Sequence, residues 1–492
     1  MKNKVLVFLI IFFGLLSFGI NVHASDNNLY QEIKKRKSIV VGTSADYPPF
    51  EFTKQVNGKT KYFGSDIQLA QKIADQLKVK LIIKNMDFSS LLVGLETHKI
   101  DIVIAGMNPD PTRLQTVDFS NNYFTAKESL VIRSNDNKII NSYKDLNNRV
   151  IGVQTGSVQE KLASNFLPNT KVIKLASVTD LILSLQTKKV DALSLSGGVG
   201  QAYAKSVKGL TAINANYPID SQNESDNNGF SVAIPKNEEL LLTKINQIIK
   251  AIGKKGYQNF LNKAGKELQN KSYSSKSVAK NKDSSMWNYR SYFIKGLKIT
   301  LFISFIGVIL GFILGSLFGW MSISHLSIFR LIARTYIEII RGTPLMVQML
   351  FAYFGIGTLF NLSSIISGII AISVNSAAYV AEIIRGGINS VDTGQKEASL
   401  SMGLNSKQAM RYIIFPQAIK NIWPSLGNEF ITLIKESSIV SMIGVPDLIY
   451  QLKNVQANTY RGIAPIVVVF FIYLTINFLL GSLLRFIEKK FK

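Results

Sequence analysis

The turn between Val153 and Val158, with the sequence VQTGSV, has residue types that could bind a small anion. It joins a short β-branched run to a predicted helix, so the first amides of that helix would face a ligand in front of the turn. Thr155 and Ser157 place hydroxyl groups beside those amides. A carboxylate is the ligand that this combination of groups predicts.

Residues for bond-breaking chemistry do not occur in a recognisable spacing. The three histidines, His23, His98 and His325, form neither a metal-binding nor a triad pattern, and the chain has no cysteine. No G-x-x-x-x-G-K-[ST] phosphate loop occurs in the sequence. We therefore expect a protein that is not an enzyme, with no catalytic residue, no metal site and no cofactor bound by this chain.

The formal net charge of +24 raises the question of nucleic-acid binding, because a basic face attracts phosphate. The distribution of charge argues against it. Lysines are scattered along the chain, and the dense cluster at Arg485, Lys489, Lys490 and Lys492 directly follows an apolar run. That position is typical of the cytoplasmic end of a membrane span, so we expect no nucleic-acid partner.

The elements that must position the turn fall into modules of different composition. Residues 1–24 have a basic start and an apolar stretch, which predicts a signal peptide or a signal anchor. Residues 25–265 alternate β-branched runs with helical stretches, which predicts an extracellular α/β domain. Residues 266–286 are polar and predict a flexible linker. Residues 287–492 contain long apolar segments and predict a transmembrane domain.

Five apolar segments after the linker reach membrane-spanning length. With the binding domain outside, an odd number of spans places the C-terminus in the cytoplasm. Arg330, Arg334 and the lysines of the longest loop then lie inside, as the positive-inside rule requires. The predicted spans lie near 293–320, 331–357, 364–385, 422–445 and 463–484.

Three motifs in the first module carry a resemblance to a known family. They are VVGTSADYPPFEF at Val40–Phe52, YFGSDIQLAQKIADQL from Tyr62, and MDFSSLLVGLETHKIDIVIAGMNPDPTRLQTVDFS from Met86. In order and spacing they resemble the polar amino-acid family of periplasmic-type substrate-binding proteins, over essentially all of residues 38–265.

This resemblance implies a two-lobed α/β, periplasmic-binding-protein-like domain that closes over one amino acid. The second lobe would span about 134–226. The crossover strands would be Ser129–Arg133 and Phe230–Pro235. The ligand would lie in the cleft between the lobes.

The same resemblance implies which residues hold the amino acid. Arg113 matches the position that grips the ligand carboxylate, and a planar guanidinium can do so through two parallel hydrogen bonds. Tyr47 and Phe88 match the aromatic pair that encloses the aliphatic part of the ligand. The other matched positions are Ala105, Gly106 and Asn108 before Arg113, and Thr155, Ser157 and Ser196 in the second lobe.

Two positions depart from the pattern of that family. Ser196 stands where an acidic residue usually pairs with the ligand ammonium, and Ser44 stands where a second acid is often found. A buried ammonium without a partner is costly. Either another carboxylate supplies the charge, with Asp46 and Asp226 as candidates, or the ligand is not a conventional α-amino acid. The loss of both acids favours neutral, glutamine-like ligands over cationic ones.

A second resemblance lies in the membrane module. The segment EIIRGTPLMVQMLFAYFG at Glu338–Gly355, with the sequence from Asn375 onward, resembles the polar amino-acid permeases of ABC importers. It implies an all-α transmembrane domain with about five spans and a cytoplasmic coupling loop at about 386–421 that docks on an ATPase. The residues that match the coupling signature are Glu397, Ala398, Gly403, Ile413 and Pro416.

The sequence therefore predicts a substrate-binding and permease subunit of an ATP-driven importer of polar amino acids. Because the chain has no phosphate loop, a separate cytoplasmic ABC ATPase subunit would use the ATP, and two copies of this chain would pair. An amino-acid-gated channel and a transmembrane sensor with the same binding fold are the alternatives. The channel would need a TVGYG-like filter, which is absent from the sequence. The sensor would need an internal signalling domain, and only the residues after Leu484 would be available to form it.

Overall fold

The computed structural model describes residues 28–56, 59–218, 229–269, 285–459, 461 and 463–491. The predicted signal segment at 1–24, the candidate Asp226 and residues 270–284 of the predicted linker lie outside the described residues.

Lobe 1 of the N-terminal domain is formed mainly by the first third of that domain. Its strands begin with the β-branched run SIVVGT, which buries Ile39 and Val41 against Leu69 and Ile73 of a neighbouring helix. Its elements are α1 (Leu29–Arg36), β1 (Ser38–Thr43), β2 (Asp46–Tyr47), β3 (Glu51–Val56), β4 (Lys59–Phe63), α2 (Ser65–Gln76), β5 (Lys80–Asn85), α3 (Leu91–Glu96), β6 (Ile102–Val103) and β7 (Val117–Phe119).

Lobe 2 follows a short strand, β8 (Phe124–Thr125). Its helices begin at side-chain caps: Ser157 accepts a hydrogen bond from the amide of Glu160, and Ser177 accepts one from Thr179. The elements of lobe 2 are β9 (Glu128–Arg133), β10 (Val150–Gln154), α4 (Val158–Phe166), β11 (Lys171–Leu175), α5 (Val178–Gln186), β12 (Ala192–Ser196), α6 (Gly197–Ser206) and β13 (Leu210–Asn214).

The chain then returns to lobe 1 through β14 (Gly229–Phe230), β15 (Ala233–Pro235) and the helix α7 (Glu239–Gln269). The sheet of lobe 1 has the order β5-β1-β6-β15-β7, and that of lobe 2 has the order β11-β10-β12-β9-β13. The ribbon β8-β14 pairs the outgoing and the returning chain between the lobes. The predicted two-lobed α/β fold class is confirmed.

The rest of the chain is helical. Its elements are α8 (Arg290–Ile323), α9 (Ser327–Arg341), α10 (Leu345–Leu359), α11 (Ser364–Asn389), α12 (Thr393–Ser401), α13 (Ser406–Ala409), α14 (Phe415–Glu436), α15 (Leu448–Thr459) and α16 (Ile463–Phe491).

Three described helical segments are long and apolar enough to cross a membrane, namely Met286–Ile323, Ser364–Asn389 and Ile463–Ile487. The second predicted span is a helix pair, α9 and α10, bent by 103° where Gly342, Thr343 and Pro344 intervene. Proline disfavours a helical conformation in the residue before it, which accounts for the break. Up to four spans are thus supported by length and composition, and the fourth predicted span lies on the more polar helix α14.

A row of glycines on α8 allows close packing against α11. A Cβ on Gly307 would lie 2.7 Å from a side-chain carbon of Ile372, and one on Gly311 would lie 2.9 Å from Ser376. A Cβ on Gly315 would lie 2.6 Å from Val380. The glycines recur every four residues on one helix face, so the two backbones approach where side chains would keep them apart.

We expect Gly315→Leu to destabilise the transmembrane domain by about 3 kcal/mol, because overpacking of a closely packed site strains both helices. Gly386→Leu is the matched control, because nothing lies within 4 Å of a Cβ at that position on α11. The midpoint of thermal unfolding is measured for both variants in the detergent-purified chain, with size-exclusion chromatography as the readout of the folded fraction. Equal midpoints for the two variants would contradict the close packing of α8 on α11.

Candidate functional site

Arg113 lies at the cleft between the lobes, at the start of a short 3-10 turn in lobe 1. Its Nη1 donates to the carbonyl of Asn108 at 2.5 Å, and its Nε lies 3.1 Å from the carboxylate of Asp110. Its Nη2 crosses to lobe 2 and donates to the carbonyl of Gly156 at 2.6 Å. Arg113 therefore already connects lobe 1 to the VQTGSV turn identified in the sequence.

The guanidinium of Arg113 is buried but keeps donors for a ligand. Burial lowers the pKa of Arg113, and the charge of Asp110 opposes that effect. Each Nη atom carries two N–H groups, so the bonds to Asn108 and Gly156 leave a second N–H on each. Phe88 lies beneath the guanidinium, with 5.6 Å between the Arg113 Cζ and the ring centre. Arg113 and Phe88, two predicted site residues, are thus brought together.

The turn before Arg113 packs closely within lobe 1. Gly106 has a left-handed φ of +54°, and its amide donates to the carboxylate of Asp66 at 2.9 Å. A Cβ on Gly106 would lie 3.2 Å from the ring of Tyr47, so the glycine lets this aromatic pack closely. Ala105 and Asn108 are buried beside it. Gly106 thus contributes shape, while its amide is used within lobe 1.

In lobe 2 the hydroxyl of Ser157 is used by the fold. It donates to the carbonyl of Gln154 at 2.7 Å and accepts from the amide of Glu160. Gly156, with φ of +77°, turns its carbonyl towards Arg113. Thr155, half-buried, and Ser157 hold this turn at the start of α4, where amides favour an anion.

Asp46, one of the two carboxylates considered for the ligand ammonium, ties the lobes together. Its Oδ2 accepts hydrogen bonds from the hydroxyl of Ser177 and the amide of Val178, both at 2.8 Å, and its Oδ1 accepts one from Ser44 at 3.3 Å. Ser177 and Val178 begin α5 of lobe 2. Asp46 of lobe 1 therefore forms hydrogen bonds with lobe 2 that stabilise the closed arrangement of the lobes.

Lys161 makes a further connection of the same kind. Its ammonium on α4 lies 2.7 Å from Asp110 of lobe 1. Because Asp110 also holds the Nε of Arg113, closure of the lobes and the placement of the guanidinium are linked.

Comparison with known proteins identifies the family of this chain. The family described as bacterial extracellular solute-binding proteins, family 3, matches residues 39–265, and the family described as binding-protein-dependent transport system inner membrane component matches residues 299–492. The arginine transport system permease protein ArtQ of Bacillus subtilis (strain 168) is 40% identical over 203 residues, which cover 41% of this chain and 93% of ArtQ. The chain belongs to the polar amino-acid ABC importers.

A second permease relative of this importer chain agrees. The glutamine transport system permease protein GlnP of Escherichia coli (strain K12) is 36% identical over 212 residues, which cover 42% of this chain and 97% of GlnP. A solved amino-acid ABC transporter substrate-binding protein from Streptococcus pneumoniae, bound to L-arginine, is 31% identical, with a TM-score of 0.46; the match covers 48% of this chain and 98% of that one. The importer chain is a substrate-binding domain fused to a permease domain, and neither the channel nor the sensor alternative is favoured.

Glu128 is a candidate site residue of the importer that the sequence interpretation missed. It lies directly opposite Ser196 in the antiparallel pair β9-β12, so the two side chains leave the same face of the sheet. Its carboxylate accepts a hydrogen bond from Gln159 of α4 at 2.9 Å, and burial raises its pKa to about 7. Ser196 is buried, and the phenol of Tyr47 from lobe 1 lies beside it. A carboxyl group thus stands beside the position where the family keeps its acid.

Tyr47 connects Glu128 to the rest of the site. Burial raises the pKa of the Tyr47 phenol, and the nearby charge of Glu128 adds to this effect. The signal that could have shown Glu128 is its place directly before the predicted crossover strand Ser129–Arg133. Sequence separation hid it, because the register between β9 and β12 is decided only on folding.

The coupling signature of the importer lies on an exposed segment of the permease. Glu397 and Ala398 are exposed on α12, and Ser399 is the buried residue of that helix. The Ser399 hydroxyl donates to the carbonyl of Lys396 at 2.7 Å, so its polar group is satisfied locally. Gly403 follows with a left-handed φ of +85° and open space around it, and Pro416 opens α14. The short helix therefore presents its signature face outward.

Proposed function

We propose that the chain captures a polar amino acid outside the membrane and passes it inward when a separate ATPase subunit hydrolyses ATP. The observation that carries this proposal is that a cation of lobe 1, Arg113, and an acid of lobe 2, Glu128, both contact the start of α4, through Gly156 and Gln159. A zwitterion needs a cation for its carboxylate and an anion for its ammonium. A neutral sugar or a simple anion needs only one of these groups, or neither.

The carboxylate end of the ligand is assigned to Arg113. The two N–H groups that its protein contacts do not use lie on separate Nη atoms, which suits a bidentate grip on a planar carboxylate. Phe88 closes one side of the guanidinium, with its ring centre 5.6 Å from the Arg113 Cζ. Exclusion of water by this ring strengthens the ion pair, because the pair is screened less in a low-dielectric site.

The ammonium end is assigned to Glu128. Position 196 holds a serine where the family usually has an acid. Glu128 lies directly opposite Ser196 in the β9-β12 strand pair of lobe 2, so its carboxylate can take the place of that acid. Asp46 is a weaker candidate, since its oxygens already accept hydrogen bonds from Ser44, Ser177 and Val178. The relatives named for arginine and glutamine transport support a ligand with a long polar side chain. A glutamine-like neutral ligand remains our expectation.

The cytoplasmic ABC ATPase is assigned to the exposed helix α12. A helix that docks on a partner must expose its signature face, and small residues must allow close approach; Ala398 and Gly403 meet both needs. Such a lever transmits domain closure to the membrane helices. Two copies of the chain, related by twofold symmetry, would complete the translocation path.

The membrane orientation follows from the same assignments. The binding domain contacts the segments around Leu362 and Lys453 of the permease, and the signature helix α12 lies on a different connection. This arrangement supports an extracellular binding domain and a cytoplasmic coupling loop and C-terminus. The segment 1–24 would direct export, as a signal peptide or an anchor.

We expect Gly403→Asp to abolish stimulation of the ATPase by amino acid while leaving ligand affinity unchanged. The reason is that a side chain at φ of +85° strains the turn after α12. Gly209→Asp is the matched control, because Gly209 of lobe 2 has φ of +88° and equally open surroundings. The measurement is ATPase activity of the complex in lipid nanodiscs, with and without amino acid. Normal stimulation in Gly403→Asp would remove the coupling assignment.

A further inference from the structure

The extracellular helix α15 of the permease lies against the mouth of the binding cleft and contacts both lobes. It packs on β3 of lobe 1 and on α5 of lobe 2. Tyr450 and Lys453 of α15 line a small cavity together with Asp46 and Asp87 of lobe 1 and Ser177 of lobe 2. One permease helix therefore meets the binding domain at the seam where its lobes join.

Lobe 1 makes several hydrogen bonds to the permease. Asn85 donates to the hydroxyl of Tyr450 at 3.1 Å, and that hydroxyl lies 3.4 Å from the hydroxyl of Tyr62. Lys99, whose side chain is buried, donates to the carbonyl of Leu362 at 3.1 Å and also to that of Gly357. These contacts do not depend on the position of lobe 2, so they anchor lobe 1 alone.

Lys453 is placed differently, because it forms an ion pair with lobe 1 on a helix that also packs on α5 of lobe 2. Its Nζ lies 3.1 Å from Asp87 of lobe 1. Burial alone would lower the pKa of Lys453, but the charges of Asp87, of Asp180 on α5 and of Asp46 outweigh burial and raise it. Asp180 belongs to lobe 2, and Asp46 of lobe 1 is hydrogen-bonded to lobe 2. A flexible ammonium suits this shared position, because it acts as a point charge without a fixed planar geometry.

We propose that Lys453 is the residue by which the permease senses closure of the binding domain. Asp87 and Asp180 lie on different lobes, so both can face one ammonium only when the lobes are closed and docked. An open domain would leave Asp180 of lobe 2 away from α15 while lobe 1 stays anchored through Lys99 and Asn85. The inference rests on the proposed function, since it assigns to the same cleft the contact that reports its state to the permease.

Thermodynamic linkage predicts an effect of Lys453 on ligand affinity that a lysine with a purely structural role would not have. If Lys453 stabilises the closed, docked form, then ligand and permease each favour the same state, and their effects are reciprocal. Removing the charge should weaken amino-acid affinity in the intact chain, although Lys453 is not among the residues that we assign to the ligand. It should also lower the ligand-dependent part of ATPase stimulation.

The test uses the full chain with its ATPase subunit in lipid nanodiscs. Lys453→Met keeps the length of the side chain without its charge, and we expect about tenfold weaker amino-acid binding and a similar loss of ligand-dependent stimulation. Asp180→Asn should give the same losses, and the two changes combined should cost no more than either alone. Lys453→Arg, which keeps the charge, should stay within about threefold of the wild type.

Lys99→Met is the matched control, because Lys99 holds lobe 1 only. Its effect should add to that of Asp180→Asn, whereas the effect of Lys453→Met should not. Closure itself can be followed by energy transfer between dyes at Lys72→Cys on α2 and Lys205→Cys on α6, since both positions are exposed and the chain has no cysteine of its own. Lys453→Met should reduce the closed fraction at a fixed amino-acid concentration.

The outcomes separate this inference from the proposed function. If the wild-type chain binds no amino acid, the proposed function fails. If the wild type binds and is stimulated, but Lys453→Met has the same affinity, closed fraction and stimulation, Lys453 is not a sensor. Additive effects of Lys453→Met and Asp180→Asn would also overturn the inference, because they would show that the two groups do not share one interaction.

Discussion

Arg113→Ala should weaken amino-acid binding by at least a hundredfold. Truncation removes the cation that we assign to the ligand carboxylate, and leaving one charge of a buried pair without its partner costs about 3 to 5 kcal/mol. It also removes the bond from Arg113 to Gly156 across the cleft. Arg113→Lys should bind weakly too, because an ammonium cannot reproduce the planar two-pronged donor. Calorimetric titration of the detergent-purified full chain with each amino acid measures these affinities.

The matched control for Arg113 is Arg133→Ala. Arg133 is a half-buried arginine of lobe 2, held by Asp136 at 2.7 Å and Asp191 at 3.2 Å at the opposite end of β9 from Glu128. Its removal should leave the ligand affinity near that of the wild type. Thermal unfolding checks that each variant is folded. Affinity of Arg113→Ala within about threefold of the wild type would mean that the ligand carboxylate is bound elsewhere.

Glu128→Gln should weaken binding by at least about thirtyfold, or about 2 kcal/mol. The substitution keeps the shape of the side chain and its contact with Gln159 but removes the charge that we assign to the ligand ammonium. A second substitution, Ser196→Asp, should restore much of the affinity, because it places a carboxylate on the same rung of the sheet. Calorimetry of the single and the double variant measures the loss and its recovery.

Glu128 also predicts how binding depends on pH. Burial raises the pKa of the free Glu128 to about 7, and a bound ammonium would favour the charged form and lower that pKa. Binding near pH 7 should therefore release a proton, and affinity should fall as the pH drops below about 7. Titrations in buffers of different ionisation enthalpy count the proton.

The proton release should disappear in Glu128→Gln. Glu238→Gln is the control, because Glu238 is a partly buried acid that accepts a hydrogen bond from the Leu29 amide at 3.0 Å, away from the cleft. It should keep both the affinity and the proton release. Unchanged affinity and proton release in Glu128→Gln would remove Glu128 from the site.

Much of this protein could be predicted from its sequence because the deciding signals are local. The shift from mixed to apolar composition after residue 286 separates the binding domain from the permease without any knowledge of packing. The motifs around Tyr47, Phe88 and Arg113 carry the family resemblance, and that resemblance implies two lobes. Even the break between α9 and α10 had a sequence signal, since Gly342, Thr343 and Pro344 disfavour a continuous helix.

The partners of buried polar groups were decided only by the tertiary structure. The sequence offered Asp46 for the ligand ammonium, but the fold uses it to hold α5 of lobe 2. It matched Gly106 to a position in the ligand-binding turn, and the fold pairs the Gly106 amide with Asp66. Glu128 meets Ser196 through strand register. A buried polar atom without a hydrogen bond is costly, so each one pairs with a group that packing brings within reach. Many of these partners are distant in the chain, and no local sequence pattern predicts such pairs.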